Sequence, residues 1–360
     1  RKEKKKMKKL VALVLAGATM LMTGCGSTQT AETDAYKGQT LKFYNWGEYV
    51  GENVVADFEK QYGCKVISEY FDSNEMMYTK LQAGDAYDVI VPSDYMIERM
   101  KKEDMLQPLD KDKIPNLSKL TDKMSCDFDP DHEYSVPYFW GNVGLVYNKT
   151  KFSKDEIEAK GWDILQDTKY KDSIYVYDSE RDAFMVAFKA LGYSMNTDKE
   201  EEIKAASQWL KTVNDTMGPV YVTDEVIDSM SNGAKDIAVV YSGDAAYILD
   251  QNEDMAYCQP EQGTNVWTDA MVIPKNAENP ELANVFINFI LEDKESLDNS
   301  QTVGYASSNQ NVLDELSEGD YAENEAYLPR SGYDKDEYFH DNETLRAKLS
   351  ELWIKIKAGN

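Results

Sequence analysis

The sequence has few of the residues on which enzymatic and metal chemistry most often depends. It has only two histidines, His132 and His340, each alone among charged residues. No histidine or cysteine pair stands at metal-ligand spacing. A G-x-S-x-G segment, a P-loop and a G-x-G-x-x-G segment are also absent. We therefore expect no cofactor, no metal and no catalytic residue, although catalysis by carboxylates alone, as in glycosidases, stays open.

Cysteine is also scarce. The chain has four cysteines, of which Cys25 belongs to the N-terminal region. Cys64, Cys126 and Cys258 lie far apart and form no C-x-x-C pair. Because three is an odd number, these can form at most one disulfide. We predict that they are mostly unpaired and structural.

A long apolar run occurs only near the N-terminus. The lysine-rich opening RKEKKKMKKL is followed by an almost wholly apolar stretch over residues 10–22, and then by small and polar residues. That stretch is shorter than the roughly 20 residues of a membrane-spanning helix. The pattern is typical of a secretory signal, which we place at residues 1–24. An uncleaved membrane anchor is the alternative, and a buried core helix is disfavoured by the lysines.

The segment after the apolar run predicts a lipid anchor and a tether. MTGC at residues 22–25 resembles a bacterial lipobox, with Met22 where leucine is commoner. This resemblance implies cleavage before Cys25, which then carries the lipid. Residues 26–37 contain no large aliphatic side chain, so we expect 25–37 to form a flexible tether. The protein would then sit on the outer face of the cell membrane, and touch it only through the lipid.

Composition and charge limit the architecture and the binding partners of the rest of the chain. The chain is 42% hydrophobic and 29% charged, and its formal net charge is −26. About 335 residues follow Cys25, which is too many for one ordinary core and predicts two lobes. A field of this sign repels nucleic acid and attracts cations, although generic solubility is an equally good reading of charge alone.

Strands and helices alternate along the folded part, as in a parallel α/β sheet with crossover helices. Predicted strands cover 41–44, 64–70, 87–91, 173–177, 219–222 and 237–241. Predicted helices cover 54–62, 74–83, 182–191, 201–213, 224–231, 244–251, 282–291 and 343–357. Residues 135–148 and 266–274 read as extended segments that cross between the lobes. In such sheets, ligands bind beyond the carboxyl ends of the strands.

These elements predict two α/β lobes joined by a hinge, with a ligand cleft between them. We expect residues 38–140 together with 268–312 to form the first lobe. Residues 141–267 together with 313–360 would form the second. No internal repeat of solenoid period is present.

Many segments, in order, resemble the spermidine/putrescine-binding proteins of bacterial polyamine ABC importers. The resemblance runs from about residue 41 to residue 360. It is carried by FYNWGEYV, YFDSNEMMYTKL, AYDVIVPSDYMIERM, YSVPYFWGNVGLVYN, the RDAF and LGYSMNT segments, VVYSGDAA, VWTDAMVIPKNA, INFIL, TVGYASSN and KIKAGN. It implies a periplasmic-binding-protein-like fold, a small polyamine cation as ligand and an ABC permease as membrane partner.

The resemblance also implies a ligand site of acids and aromatic side chains facing the cleft. Carried over by matching position, the ligand-binding residues are Trp46, Glu48, Tyr49, Ser93, Tyr95, Asp182, Tyr241, Trp267, Asp269 and Tyr305. No arginine stands among these positions to clamp a carboxylate, which argues against amino-acid and anionic ligands.

The chemistry of this set suits an alkyl chain with an ammonium at each end. Burying an ammonium is costly unless a carboxylate and further acceptors surround it. Glu48 could hold one end, and the pair Asp182 and Asp269 the other. Tryptophan and tyrosine faces supply apolar walls and attract cations, by about 0.5–2 kcal/mol each. Each residue could also have a purely structural role, because aromatic side chains usually belong to the core and Asp182 could simply begin a helix.

Departures from the family pattern bear on ligand choice. Ser179 stands where relatives that prefer spermidine tend to carry an acid, and Tyr241 where a tryptophan is usual. Phe339 occupies the place of an expected polar contributor, and Gly47 that of a hydroxyl-bearing residue. Fewer anionic and polar contacts suit a dication better than a trication. Our hypothesis is that putrescine binds at least as tightly as spermidine.

The predicted function is therefore capture of a polyamine outside the cytoplasm and its delivery to an ABC permease, by a protein that we expect to be monomeric and not an enzyme. Alternatives are a protein of the same fold for another cationic or neutral solute, a polyamine sensor, and a secreted carboxylate-dependent hydrolase.

Overall fold

The computed structural model describes residues 36–124 and 126–359. The predicted signal segment 1–24, Cys25 and most of the predicted tether 25–37 lie outside the described residues. The predictions for these segments are therefore not addressed by the structure.

Ten strands of the described chain join in one hydrogen-bonded network. The strands are β1 (Thr40–Trp46), β2 (Lys65–Phe71), β3 (Val89–Ile90), β4 (Ser135–Asn148), β5 (Ile174–Tyr177), β6 (Val220–Val222), β7 (Ile237–Tyr241), β8 (Met255–Cys258), β9 (Val266–Val272) and β10 (Ala306–Ser307). Their spatial order is β2-β1-β3-β9-β4-β7-β5-β6, and β8 and β10 also pair with β4.

The strand directions agree with the predicted parallel units. β1 runs parallel to β2 and β3, and β5 runs parallel to β6 and β7. The 14-residue strand β4 connects these two units. Residues 135–142 of β4 pair antiparallel with β9, and residues 143–147 pair antiparallel with β7. The predicted crossing segment 135–148 is thus one continuous strand.

Twelve α-helices cover the sheet within the described residues. They are α1 (Val54–Tyr62), α2 (Asn74–Gln82), α3 (Asp94–Lys102), α4 (Lys154–Lys160), α5 (Glu180–Ala190), α6 (Glu200–Met217), α7 (Glu225–Ser231), α8 (Ser242–Gln251), α9 (Pro280–Ile290), α10 (Asp293–Val303), α11 (Gln310–Glu318) and α12 (Glu343–Lys357). Short 3-10 turns lie at Lys111–Lys113, Pro115–Lys119, Gly161–Gln166 and Thr168–Tyr170.

Local signals explain where several helices begin and end. The Ser73 hydroxyl accepts a hydrogen bond from the Met76 amide and begins α2. Gly63 adopts a left-handed conformation, with φ of 64°, and ends α1. Each predicted helix matches an observed one to within a few residues. Helices α3, α4, α10 and α11 and strands β8 and β10 were not predicted.

The largest clusters of buried apolar side chains form separately around the two parallel units. One surrounds β1, α1 and α9, where the Phe43 and Phe58 rings meet Phe286 edge to face. Another surrounds β5, α5 and α6 and contains Trp162 and Phe184. Separate cores are what two lobes require. The lobe boundaries 38–140 with 268–312, and 141–267 with 313–360, stay a prediction.

The three cysteines of the folded part are all unpaired, as predicted. Cys64 and Cys258 are buried and Cys126 is half-buried. Among the described residues, no helix has the length and apolarity needed to cross a bilayer.

Candidate functional site

The predicted site residues cluster where strands of both parallel units end. Tyr241 is the last residue of β7, and Ser93 follows the end of β3 by three residues. Trp267 and Asp269 lie on β9, where that strand pairs with β4. Asp182 lies in the first turn of α5, the helix that follows β5. The carboxyl ends of parallel strands are the expected place for a ligand.

Asp269 is the buried acid on the side of the site that the predicted first lobe contributes. Its exposed fraction is 7%, and Tyr49 donates a hydrogen bond from its hydroxyl to Oδ2 at 2.8 Å. Burial raises the pKa of Asp269 to about 6, although hydrogen bonds from Ser93 and Tyr49 oppose that rise. Burial and the nearby Asp269 raise the pKa of Tyr49, so its hydroxyl stays protonated and donates. A carboxylate in this setting favours a cation as neighbour.

Aromatic rings continue from this acid toward the second lobe. Tyr305 meets Tyr49 edge to face, with ring centroids 6.0 Å apart. Trp267 meets Tyr305 at 4.9 Å and Tyr241 at 6.3 Å, again edge to face. Four predicted residues thus form a continuous row of rings.

Two glycines allow these rings to approach the backbone. A Cβ atom on Gly141 would lie 2.5 Å from the Trp267 ring, and one on Gly243 would lie 2.4 Å from the Tyr305 ring. Both distances are far below van der Waals contact. A larger residue at either position would displace a ring of the site.

Asp182 is the buried acid on the side of the site that the predicted second lobe contributes. It is 4% exposed, and the Tyr241 hydroxyl donates to its Oδ2 at 2.6 Å. Its other oxygen, Oδ1, is buried and has no hydrogen-bond partner among the described residues. An unpaired buried carboxylate oxygen costs about 1–3 kcal/mol or more. A donor entering the site would satisfy it.

Two further predicted residues, Trp46 and Glu48, are not part of this row of rings. Trp46 packs on Phe71 and donates from its indole nitrogen to the Val91 carbonyl at 2.9 Å. Glu48 is exposed, has a left-handed backbone with φ of 52°, and forms no hydrogen bond or ion pair with any described residue. The role predicted for Glu48 stays a prediction.

Tyr95 is engaged by the protein itself. It is 5% exposed, and its hydroxyl donates to Glu75 Oε1 at 3.1 Å. The Arg181 guanidinium lies 3.9 Å from the centre of its ring, and 5.4 Å from that of Phe339. One face of Tyr95 is therefore covered by an internal cation.

Arg181 qualifies the sequence-based exclusion of anionic ligands. No arginine stood among the matched positions, yet this one directly precedes Asp182, and its Nη1 is buried without a hydrogen-bond partner among the described residues. Its charge faces Glu75 and Asp182 as well as the Tyr95 ring. These acids balance it, so it adds no free positive charge to the site.

Sequence reasoning missed Asp244 as a site residue. It lies in the first turn of α8, three residues after Tyr241, and it is the first residue of the predicted helix 244–251. The Tyr305 hydroxyl lies 3.5 Å from its Oδ1, at the limit of a hydrogen bond. Burial, together with the nearby Asp224, raises the pKa of Asp244 to about 7. Its position just after a strand end was the signal that could have revealed it.

Within the described residues, no group of three or more histidine, cysteine or acidic side chains is arranged to hold a metal ion. The site is a set of carboxylates, hydroxyls and aromatic faces.

Comparison with known proteins gives a consistent family. Residues 53–329 match the family model described as bacterial extracellular solute-binding protein. The spermidine/putrescine-binding periplasmic protein of Salmonella typhimurium is 33% identical over 350 residues, which cover 96% of this chain and 98% of that protein.

Solved structures agree. The spermidine/putrescine ABC transporter substrate-binding protein PotD of Streptococcus pneumoniae is 35% identical and superposes with a TM-score of 0.78, over 89% of this chain and 99% of that one. The TpPotD lipoprotein of Treponema pallidum is 26% identical, with a TM-score of 0.75 over 89% of this chain and 100% of that one.

Proposed function

Because this chain belongs to the family of bacterial extracellular solute-binding proteins, we propose that it captures polyamines, putrescine or spermidine or both, and delivers them to an ABC permease. The polyamine-binding relatives cover nearly the whole chain, so the proposal concerns the complete fold rather than one shared module.

The observation that carries the proposal is the unpaired Oδ1 of Asp182, which lies at one end of a row of aromatic rings whose other end contacts Asp269. A diamine presents two ammonium groups joined by methylenes. One ammonium can donate to Asp182 while the other lies beside Asp269. The rings of Trp267, Tyr305 and Tyr241 can cover the methylenes and attract the cationic ends. A neutral sugar would leave the buried Asp269 carboxylate without a counter-charge.

The strand arrangement supports a closing mechanism. Asp269 and Tyr49 come from the predicted first lobe, and Asp182 and Tyr241 from the second. A ligand that touches both halves stabilises the closed form by its differential affinity for that form. Strands β4 and β9 connect the halves and would carry the hinge.

We further propose that the protein is held outside the cytoplasm by a lipid on Cys25 and works as a monomer. The basic opening, the apolar run and the MTGC segment support export and lipidation. A relative of the same fold in Treponema pallidum is named a lipoprotein. Detergent-phase partitioning that is lost in a Cys25→Ala variant would support the anchor, and unchanged partitioning would contradict it.

The central test is calorimetric titration of ligand-free, refolded protein with putrescine and spermidine. We expect dissociation constants of about 1 μM or lower, about −8 kcal/mol. 4-Aminobutanoate is the matched control ligand, because it has the same length with one ammonium replaced by a carboxylate. No binding of either amine by folded protein would overturn the proposal.

Asp269→Asn should weaken putrescine binding by at least about a hundredfold, because it leaves a buried ammonium without its counter-charge. Asp112→Asn removes the same charge from an exposed turn and should leave binding nearly unchanged. Equal losses in the two variants would indicate that overall charge, rather than the site, attracts the ligand.

Transport and sensing predict different cellular results. A strain lacking this protein should lose uptake of labelled putrescine at micromolar concentration. Normal uptake combined with a lost transcriptional response to putrescine would favour a sensor.

A further inference from the structure

Asp94 is a buried acid behind the site that neither residue patterns nor family resemblance singled out. It is the first residue of α3, between the site residues Ser93 and Tyr95, and it is 3% exposed. A buried carboxylate normally needs a counter-charge or several hydrogen bonds. The surroundings of Asp94 indicate what it does.

The two carboxylate oxygens of Asp94 bind two different elements. Oδ1 accepts a hydrogen bond from the Tyr95 amide at 2.7 Å, within its own helix. Oδ2 accepts one from the Thr268 amide on β9 at 3.1 Å. Thr268 is the residue between Trp267 and Asp269. One side chain therefore ties the start of α3 to the part of β9 that carries two predicted ligand contacts.

Neighbouring contacts strengthen the same junction. Ser93 and Asp269 form an isolated antiparallel bridge, and the Ala270 amide donates to the Pro92 carbonyl at 3.0 Å. Asp94 is the side-chain component of this junction. Losing it would loosen the Asp269 carboxylate relative to Ser93.

We propose that Asp94 is a positioning residue for the cation site, which holds the Trp267–Asp269 segment in place and releases a proton when an ammonium binds beside Asp269. The proposal rests on the polyamine function proposed above and extends it to residue Asp94 and to proton linkage.

Three charged or titratable groups face Asp94 from other elements. Asp269 on β9 disfavours its ionisation and Arg181 on α5 favours it. The half-buried Cys126 thiol stays neutral, because burial first and then nearby acids that include Asp94 raise its pKa. Burial is the largest influence and raises the pKa of Asp94 to about 8, although the amides of Thr268 and Tyr95 oppose the rise. At pH 7 the free protein therefore keeps a proton on Asp94 in most molecules.

The proton and the second amide bond compete. Only an ionised carboxylate accepts freely on both oxygens, and a protonated one has an O–H group on one of them. The Thr268 and Tyr95 amides are therefore both well satisfied only in the ionised form. An ammonium beside Asp269 offsets the repulsion between the two acids, so Asp94 ionises and the junction tightens.

The proton balance is simple. Aliphatic amines are fully protonated between pH 6 and 8, so the ligand enters and stays as a cation. The proton leaves the Asp94 carboxyl and goes to the buffer. Affinity for putrescine should therefore rise with pH through this range, by about tenfold from pH 6 to pH 8.

Calorimetry in two buffers of different ionisation enthalpy, phosphate and MOPS, counts the released protons. At pH 7 we expect the wild-type protein to release about half a proton to one proton per putrescine bound. In Asp94→Asn the release should fall below the wild-type value, to what Asp269 and Asp244 contribute, and the rise in affinity from pH 6 to 8 should shrink by about threefold. At pH 8 this variant should bind about tenfold more weakly than wild type.

Controls separate proton linkage from loss of structure. Asp112→Asn should keep the wild-type proton count. If Asp94→Asn does not fold, Asp94→Ser retains one short acceptor without a titrating group, and should show the same loss of proton release. Proton release and pH dependence equal to wild type in a folded Asp94 variant would overturn the role of Asp94. Absence of binding by wild-type protein at every pH would instead overturn the polyamine function itself.

Discussion

At the scale of single residues, Ser179 shows how a helix start shapes the site. Its hydroxyl accepts a hydrogen bond from the Asp182 amide at 3.4 Å and caps α5. The preceding acid, Asp178, accepts from Trp353 Nε1 at 3.0 Å and from Lys357 Nζ at 2.6 Å. It is therefore committed to α12 and does not replace the acid that is absent at position 179.

Ser179→Asp should shift ligand preference toward spermidine. Aspartate caps a helix as well as serine does, and it adds a negative charge near Asp182. We expect the ratio of spermidine to putrescine affinity to rise by about tenfold, about 1.4 kcal/mol, in calorimetric titrations. Ser179→Asn is the matched control, since it keeps a capping oxygen without the charge. An unchanged ratio in Ser179→Asp would indicate that the ligand does not reach this helix start.

Asp244 adds an acid to the site that the comparison at position 179 does not include. The neutral Ser179 removes one carboxylate from the second-lobe end, but Asp244 brings another one close to Tyr305. The hypothesis that putrescine binds at least as tightly as spermidine therefore stays a prediction that the same titrations decide.

At the scale of elements, the first turn of α12 and the segment before it contact helices α2 and α3. Arg346 Nη1 contacts Glu75 Oε1 of α2 at 2.9 Å, and His340 Nδ1 lies 2.8 Å from Glu98 Oε1 of α3. The Asp341 amide also donates to Glu98 Oε2 at 2.9 Å. In the predicted lobe division these contacts cross the cleft, so they can form only when the lobes are together.

Glu98→Ala should therefore destabilise the closed form. We expect putrescine to dissociate about three to ten times faster, measured by stopped-flow fluorescence, because the contacts with His340 and Asp341 are lost. Glu103→Ala is the matched control at the end of the same helix, since its partners Arg99 and Tyr78 both lie within the first lobe. Equal dissociation rates in the two variants would contradict a role in closure.

At the scale of the whole molecule, the site contains carboxyl groups that titrate at a higher pH in the folded protein than in the unfolded chain. Burial raises the pKa of Asp269, Asp244 and Asp94 to about 6, 7 and 8. In the unfolded chain these groups titrate near pH 4. Their contribution to stability is therefore complete below about pH 4, and it is lost as the pH rises through the folded values.

The free energy of unfolding of the ligand-free protein should therefore decrease as the pH rises. Between pH 5 and pH 8, the free energy of unfolding of wild type should fall by about 3 kcal/mol or more relative to a variant with asparagine at all three positions. Urea denaturation at several pH values measures this difference. His132, whose buried imidazole has a lowered pKa and the opposite effect, is common to both proteins and cancels.

Saturating putrescine should restore the free energy of unfolding that the wild-type protein loses by pH 8, because its ammonium groups supply the missing counter-charge. Carboxyls with lowered pKa values, such as Glu69 and Asp129, titrate below pH 4.5 and do not disturb this range. A difference between the two proteins that does not change with pH would contradict raised pKa values at all three sites.

The sequence by itself determined most of the helices and strands, and it indicated acidic and aromatic side chains that suit a cation. Apolar periodicity and glycine or proline stops predicted the β1–α1–β2–α2–β3 order and the long crossing strand β4, because these signals are local. Helix α3 was missed, although its buried residues Met96, Ile97 and Met100 recur at helical spacing. Strand β8 was missed because its four residues are a strand only through pairing with β4.

Tertiary structure alone decided which side chains share the site. The row of rings depends on the pairing of β4 with β9 and with β7, which joins residues about 100 or more positions apart in the chain. That pairing brings Trp267 onto Gly141. Glu48, which follows the end of β1, is exposed. The approach of the start of α3 to β9 places Asp94 against the Thr268 amide, where no local pattern could show it. Burial and the neighbours of a carboxylate set its pKa, and both are properties of the folded chain rather than of the residue.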